Sequence, residues 1–560
     1  MTATETPAEA HEEVDEHHAA DPVPSSGDGL YRLIASNDHK DVGRMWIAMS
    51  LIFFVALGGL GVLNEFERLD TDPQIWGSVS RAFQGWVLFR TGAIFMVVIP
   101  IFIGIATVVT PLQVGSASIA FPRLAAASFW AWLFAAIVHI ISFVADGGLG
   151  PAQTTSVQST ALTMTSLSFM IIALLGASVA IATTIVALRP TGMTLIDVPA
   201  FSWSMLVACS IWLLSLPVLI SNMILIYVDL QGRPAIDLGN GDLIWARVEW
   251  AWSQPQVFAY AIPVLGVLAD VIPTQTKSRQ AGRPVLLGFI GVFGVLSFGA
   301  WAQSFWSKFP AFIYEEVLYS VFAFAILLPA FLAFSGAMDQ IRRGSFPKPG
   351  GALLGSVFGA LLLLDAVALG IARVSAAVVP LLPFADLEPN WVSIANEEGV
   401  LLASSTGVLI AVIAAAMASA LGALVHWAPK IFGGFAVEPL AALGAMMLLA
   451  GGVAAGVANV ISAFDGQADD IRFVESVDGL TASLNLVSMI GLAALAGGAV
   501  LMILSVLPAR SKKETISDDP WGGQTLEWAT PSPPPIGNFV EPVGVVRSPE
   551  PLLDELEEVN

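Results

Sequence analysis

In a chain of 560 residues, 56% hydrophobic side chains, only 12% charged ones and a mean hydropathy of +0.75 exclude a water-soluble globule. The formal charge of −21 is not a binding field, because the acid is concentrated in residues 1–28, in the last stretch of the chain and in loops on one side. A lone Cys209 excludes an internal disulfide and any CxxC redox or zinc pair, and six histidines are a thin supply for metal centres.

Residues 1–36 read as an acidic disordered tail that holds His11, His17 and His18. It lacks the basic-then-apolar layout of a cleaved signal, so the first apolar helix must direct insertion. Apolar runs long enough to cross a hydrocarbon core as helix then recur near 45–64, 86–109, 125–145, 163–188, 203–228, 251–272, 284–304, 313–336, 351–372, 401–425, 438–462 and 482–507. These about twelve spans define a membrane domain over 37–510, followed by a Pro-rich acidic tail over 511–560. Helix is the spanning choice, since an unpaired backbone amide in lipid is costly and the runs are twice the length of a barrel strand. The expected fold class is therefore all-α, a polytopic membrane bundle.

Loop charges set its orientation. Lys40 and Arg44, Arg123, Arg189, Lys277 with Arg279 and Arg283, Arg342 with Arg343 and Lys348, Lys430, and Arg510 with Lys512 and Lys513 fall on alternate loops, which places both termini in the cytoplasm. The opposite loops carry acid, as in Asp229 to Asp242, Glu315 with Glu316, and Asp386 to Glu398. Small residues over Ile413 to Leu424 and Gly444 to Gly456 read as close helix packing. No nucleotide-binding glycine loop, HExxH pattern or nucleophile elbow occurs, and the sparse basic residues give no sign of nucleic-acid binding.

Asp38-His39-Lys40-Asp41-Val42-Gly43, Pro111-Leu112-Gln113-Val114-Gly115, Trp427-Ala428-Pro429-Lys430 and the run from Asp519 to Pro535 together resemble subunit I of the haem–copper oxidases, the cytochrome c oxidase family. Asp38-His39-Lys40-Asp41-Val42-Gly43 is similar to the entry into that family's first helix. Pro111-Leu112-Gln113-Val114-Gly115 with Ala120-Phe121-Pro122-Arg123 is similar to a turn, and Trp427-Ala428-Pro429-Lys430 to a later helix exit. The most specific match is the run Asp519-Pro520-Trp521-Gly522-Gly523-Gln524-Thr525-Leu526-Glu527-Trp528 and its continuation to Pro535. The resemblance implies a twelve-helix bundle, of bacterial plasma-membrane type, holding two haems and a copper ion through imidazoles.

Residue by residue, the family's ligand positions carry other side chains. The His of its second helix falls on Phe89, beside Arg90, and the His-Pro-Glu-Val-Tyr of its sixth on Gln254-Pro255-Gln256-Val257-Phe258. Its Trp-Ala-His-His falls on Trp301-Ala302-Gln303-Ser304, and the His-x-His of its tenth helix on Gly407 and Leu409. The aspartate and lysine of its proton routes correspond to Ser118 and Ala333, and its paired propionate-binding arginines have no counterpart in Phe464 to Asp470. His139 reads as a helix-packing imidazole and His426 as interfacial, and Gln and Ser are poor substitutes as metal ligands. No metal and no cofactor are therefore expected.

An emptied haem site would cost roughly 24 cal/mol per Å³ of cavity, so bulky side chains such as Phe89, Leu409, Phe258, Phe305 and Trp306 are expected to fill the interior. A lipid or quinone in a residual pocket is the alternative. Charges left at bilayer depth, Arg90, Asp365, Arg373 and Glu398, form a candidate polar network with Arg90 and Asp365 as the first pair to mutate; Asp270, Arg247, Glu249 and Glu397 lie nearer the membrane edges. The expected role is a non-catalytic scaffold or accessory subunit of a respiratory-type membrane complex, with other membrane subunits and lipid as partners. The alternatives are a catalytic terminal oxidase subunit I and an ion or small-molecule transporter on the same bundle.

Overall fold

The structure, a computed structural model, describes residues 36–70, 74–149, 157–230, 248–302, 320–345, 349–378, 405–465, 467, 479–510 and 516–554. Its helices are α1 (His39–Glu67), α2 (Val79–Gln113), α3 (Pro122–Val144), α4 (Val157–Ala187), α5 (Ala200–Leu230) and α6 (Ile262–Thr276). They continue with α7 (Arg283–Leu296), α8 (Leu327–Arg343), α9 (Gly351–Val378), α10 (Ser405–His426), α11 (Glu438–Phe464) and α12 (Gly479–Val506). Among the described residues eleven helices are long and apolar enough to cross a membrane, and α7 is a shorter apolar helix. The protein is an all-α polytopic membrane bundle.

Local chemistry sets the helix starts. Asp38 caps α1 by accepting the Lys40 amide at 3.0 Å, and Ser78 caps α2 by accepting the Arg81 amide at 3.3 Å. Pro122, Pro263 and Pro284 occupy first turns, where a missing N–H costs nothing. The run expected over 284–304 is helical only to Leu296; a turn at Ser297 leads into a short 3-10 turn, Ala300–Ala302.

Burial separates the helices into two groups. The most apolar 18-residue stretch is wholly buried in α2 and α10 and 94% buried in the span that contains α6, against 33–61% in the other spans. These three form the centre, so lipid is met by the surrounding helices. Backbones approach closely where side chains are smallest: a Cβ on Gly355 of α9 would lie 2.5 Å from the Gly422 amide nitrogen of α10.

Within α2 the ladder widens into a π-helical turn at Ala93–Val98. Trp132 of α3 donates its indole N–H to the Phe95 carbonyl in that turn at 2.8 Å. At one end of the bundle Glu65 and Arg68 pair at 3.1 Å, and Asn459 of α11 accepts from Arg68 at 2.6 Å. Asn485 of α12 donates to the Arg68 carbonyl, so buried polar groups tie α1, α11 and α12 together.

At the other end lies the C-terminal segment. Within the region expected as a tail, residues 516–554 run across the helix ends. Lys40 donates to the Pro535 carbonyl and Asn538, Asn538 donates to the Ser116 carbonyl, and Val546 donates to the Thr191 carbonyl. Lys430 donates to the carbonyls of Asp518 and Thr530, Trp521 donates to that of His426, and Glu550 accepts the Gln280 amide. One segment thereby fastens the start of α1 and four interhelical connections.

Candidate functional site

Of the positions singled out in the sequence, Phe89 and Arg90 lie on α2, Gly407 and Leu409 on α10, and Gln254, Gln256 and Phe258 just before α6. Phe89 of α2 is buried and faces α1, where a Cβ on Gly61 would lie 3.0 Å from its ring. It lines an apolar cavity of about 20 Å³ with Phe54, Leu57, Ile410, Ile413 and Leu492 among its neighbours. Ligand sites for small molecules run to roughly 300–1,000 Å³, so this space is closed to anything of porphyrin size in this conformation. At Gly407 a Cβ would lie 2.6 Å from the Gly456 carbonyl oxygen, because α10 and α11 cross there backbone to backbone. Leu409 is fully buried.

Before α6 the two glutamines are hydrogen-bonded into the walls. Gln254 donates to the Gly370 carbonyl at 3.1 Å. Gln256 donates to Ser215 of α5 at 3.0 Å and accepts the Gly299 amide at 3.0 Å, so both ends of its amide are used. Phe258 is buried, and a Cβ on Gly370 would meet its ring at 3.2 Å. Tyr260, two residues on and not singled out in the sequence, donates its hydroxyl to the Ala251 carbonyl at 2.9 Å.

The two positions expected to correspond to the family's proton routes differ. Ser118 is a turn residue whose carbonyl accepts from the Ser116 hydroxyl at 2.7 Å. Ala333 of α8 is buried on the wall of a larger, mainly apolar cavity of about 260 Å³ among α6, α7 and α8. Gln303, Ser304, Phe305, Trp306, Glu397 and Glu398 lie outside the described residues.

Arg90 is the charged centre of this region. It is fully buried, with its guanidinium carbon 4.3 Å from the Trp86 ring centre and a hydrogen bond to the Ser405 hydroxyl. Its ion pair is with Glu249 at 4.0 Å, not with Asp365. Asp365 is half-buried on α9, its Oδ2 lacks a hydrogen-bond partner, and no ion pair among the described residues includes it. Arg373 is buried eight residues farther along α9, about 12 Å away by helical rise. The expected Arg90–Asp365 pair is thus corrected to Arg90–Glu249: a sequence gives depth along the bilayer, but the pairing depends on which faces meet.

Trp86 donates to Thr406 of α10 at 3.1 Å, so α2 and α10 meet through Trp86–Thr406 and Arg90–Ser405 as well as through apolar contact. His139 of α3 bonds Thr91 and Ser166, each at 3.1 Å, which bears out a helix-packing imidazole. His426 is buried with its ring against Trp427 and Trp528. Among the described residues no three His, Cys, Asp or Glu side chains group as metal ligands would. The arrangement can hold a buried charge, bind helices together and exclude water.

Comparison with known proteins matches residues 41–381 to the family of cytochrome c and quinol oxidase polypeptide I. Cytochrome c oxidase subunit 1 of Corynebacterium efficiens is 28% identical over 549 residues, covering 94% of this chain and 90% of that protein. The subunit 1 of Corynebacterium diphtheriae is 27% identical, with 95% and 94% covered, and that of Bacillus subtilis 26% identical, with 94% and 84% covered.

These relatives overturn the expectation of no cofactor, because the family they represent points to haem and copper. The side chains described above do not by themselves fit either group. Phe89, Gly407 and Leu409 offer no lone pair, and the amide of Gln256 is spent on Ser215 and Gly299, so none of these four side chains is free to ligate iron or copper. With a family match over more than half of its length, and membrane oxidase partners implied by it, this chain belongs to the cytochrome c and quinol oxidase polypeptide I family.

Proposed function

We propose that this chain serves an oxidase-type complex of the bacterial plasma membrane as a scaffold or accessory subunit, with both termini in the cytoplasm and without turning over oxygen itself. The supporting observation is the closed crossing of α10 and α11 at Gly407, where backbone meets backbone at a position the family resemblance gives to an imidazole. Arg90, Glu249, Ser405 and the Trp86–Thr406 bond hold the central helices together in the same region. That is an arrangement for rigidity, and a rigid bundle presents constant outer faces to neighbouring subunits.

A second reading is favoured by the relatives: their names are those of cytochrome c oxidase subunits, so the chain would be a catalytic subunit I, moving electrons to oxygen with haem and copper. One preparation separates the two. The full chain is affinity-purified from native membranes, its companions are identified, and oxygen uptake driven by reduced cytochrome c or quinol is measured. The accessory role predicts companion membrane subunits, with any uptake unaffected by Gln256→Leu or Gly407→Ala in assembled complexes. Uptake that follows the amount of this chain and collapses in an assembled Gln256→Leu complex supports the catalytic reading instead.

A further inference from the structure

Glu527 is a buried carboxylate that the region around Arg90 does not use. It lies in the 3-10 turn Leu526–Trp528 of the C-terminal segment and is 1% exposed. Gln113, the last residue of α2, donates its amide to Glu527 Oε1 at 3.2 Å and to Asp270 Oδ2 of α6 at 2.9 Å. One amide therefore bridges two carboxylates. Trp427 also donates to Glu527 Oε1, at 3.3 Å, and Asp270 accepts the Ala200 and Phe201 amides at the start of α5, each at 2.9 Å. Glu527 Oε2 is buried with no hydrogen-bond partner.

The surrounding charges do not neutralise that oxygen. Arg283 at the start of α7 faces Asp270, and its guanidinium donates to the Val198 carbonyl and Gln280. Glu550 and Asp197 face Arg283 in turn. Lys430 faces Glu527 from the connection between α10 and α11, with its ammonium turned to the carbonyls of Asp518, Thr530 and Pro531. Asp518 and Asp519 face Lys430, Lys277 faces Asp519, and Thr525 lies beside Glu527 in its own turn. A second ionised carboxylate would be costly here, and a proton on Glu527 removes that charge.

We propose that Glu527 and Asp270 form a proton-binding site, and that the proton held there couples docking of residues 516–554 to the pH at this end of the bundle. Burial, and then the neighbouring Asp270, push Glu527 from its ordinary value of 4.5 up to about 7. Below 4.5 the docked and undocked segments both hold the proton, and docking is strongest. Between 4.5 and about 7 only the docked segment holds it, so docking weakens as pH rises; above about 7 the loss is complete and constant. On release the O–H bond of Glu527 breaks, the proton passes to water and the carboxylate remains.

Hydrogen exchange on the full chain in native membrane vesicles permeable to buffer, corrected for the intrinsic pH dependence of exchange, reads the docked fraction. Protection of Trp521 to Ala529 is expected to fall by up to about tenfold per pH unit between about pH 5 and pH 7, the slope of one proton. E527Q should flatten that slope, and D270N should move it to lower pH. A wild-type slope retained in E527Q overturns the proposal, as does a flat wild-type profile. Should E527Q fail to fold, infrared titration of the wild-type chain decides: a carboxylic-acid carbonyl band lost near neutral pH in step with protection supports the site, and absence of such a band overturns it.

Discussion

At Gly407 the α10–α11 crossing is set by the absence of a side chain. A Cβ there would lie 2.6 Å from the Gly456 carbonyl oxygen and 2.8 Å from a Val460 methyl, so even alanine must push the helices apart. Gly407→Ala should cost about 1–3 kcal/mol in thermal unfolding of the chain in detergent or lipid, and an unchanged melting temperature would contradict the crossing. Arg90 is the complementary case of a residue held by its neighbours. Arg90→Met should cost about 3–5 kcal/mol, since it removes one charge of a buried ion pair, and Arg90→Met with Glu249→Gln should recover part of that. Strict additivity in this double-mutant cycle would show that the 4.0 Å pair contributes nothing.

That Phe89, Gly407 and Leu409 lie buried inside the bundle was legible in the sequence, because each sits within an apolar run long enough to span. The partner of Arg90 was not. Glu249 stands 159 residues away on another segment, and only the packed helices show that it, and not Asp365, reaches the guanidinium.

Among the elements, α2 shows how a local irregularity is stabilised. Its π-helical turn follows Phe89 and Arg90, and Trp132 supplies an indole N–H to a carbonyl of that turn. Trp132→Phe keeps an aromatic ring and removes the donor together with part of the ring volume, so it should cost about 1–3 kcal/mol and raise amide exchange around Phe95. No loss would mean that the turn satisfies itself. The helices themselves were readable from apolar runs alone, since lipid leaves helix as the spanning choice. The C-terminal segment was not, because its acid and proline argue for a solvated tail while its contacts are to loops far away in sequence. A trace lay in Trp521, Leu526 and Trp528, large apolar side chains close to Glu527. Lys430→Met should remove the ammonium that donates to the carbonyls of Asp518, Thr530 and Pro531 and raise exchange from Asp518 to Pro535 at least about tenfold. Unchanged exchange would show that other contacts suffice.

For the whole molecule, burial of α2, α6 and α10 makes the centre a matter of helix packing and leaves the outer helices to meet lipid and other subunits. Membership of the cytochrome c and quinol oxidase polypeptide I family gives the architecture and the kind of complex, and it overturns the expectation of a cofactor-free chain, because that family points to haem and copper. The accessory role rests on what occupies the central crossings. The most direct measurement is donor-driven oxygen uptake, per copy of this chain, by the chain purified alone and again with its native companions. An accessory subunit predicts no uptake by the chain alone and stable co-isolation with other membrane subunits. Sustained uptake by the chain alone, in proportion to its amount, would contradict the account.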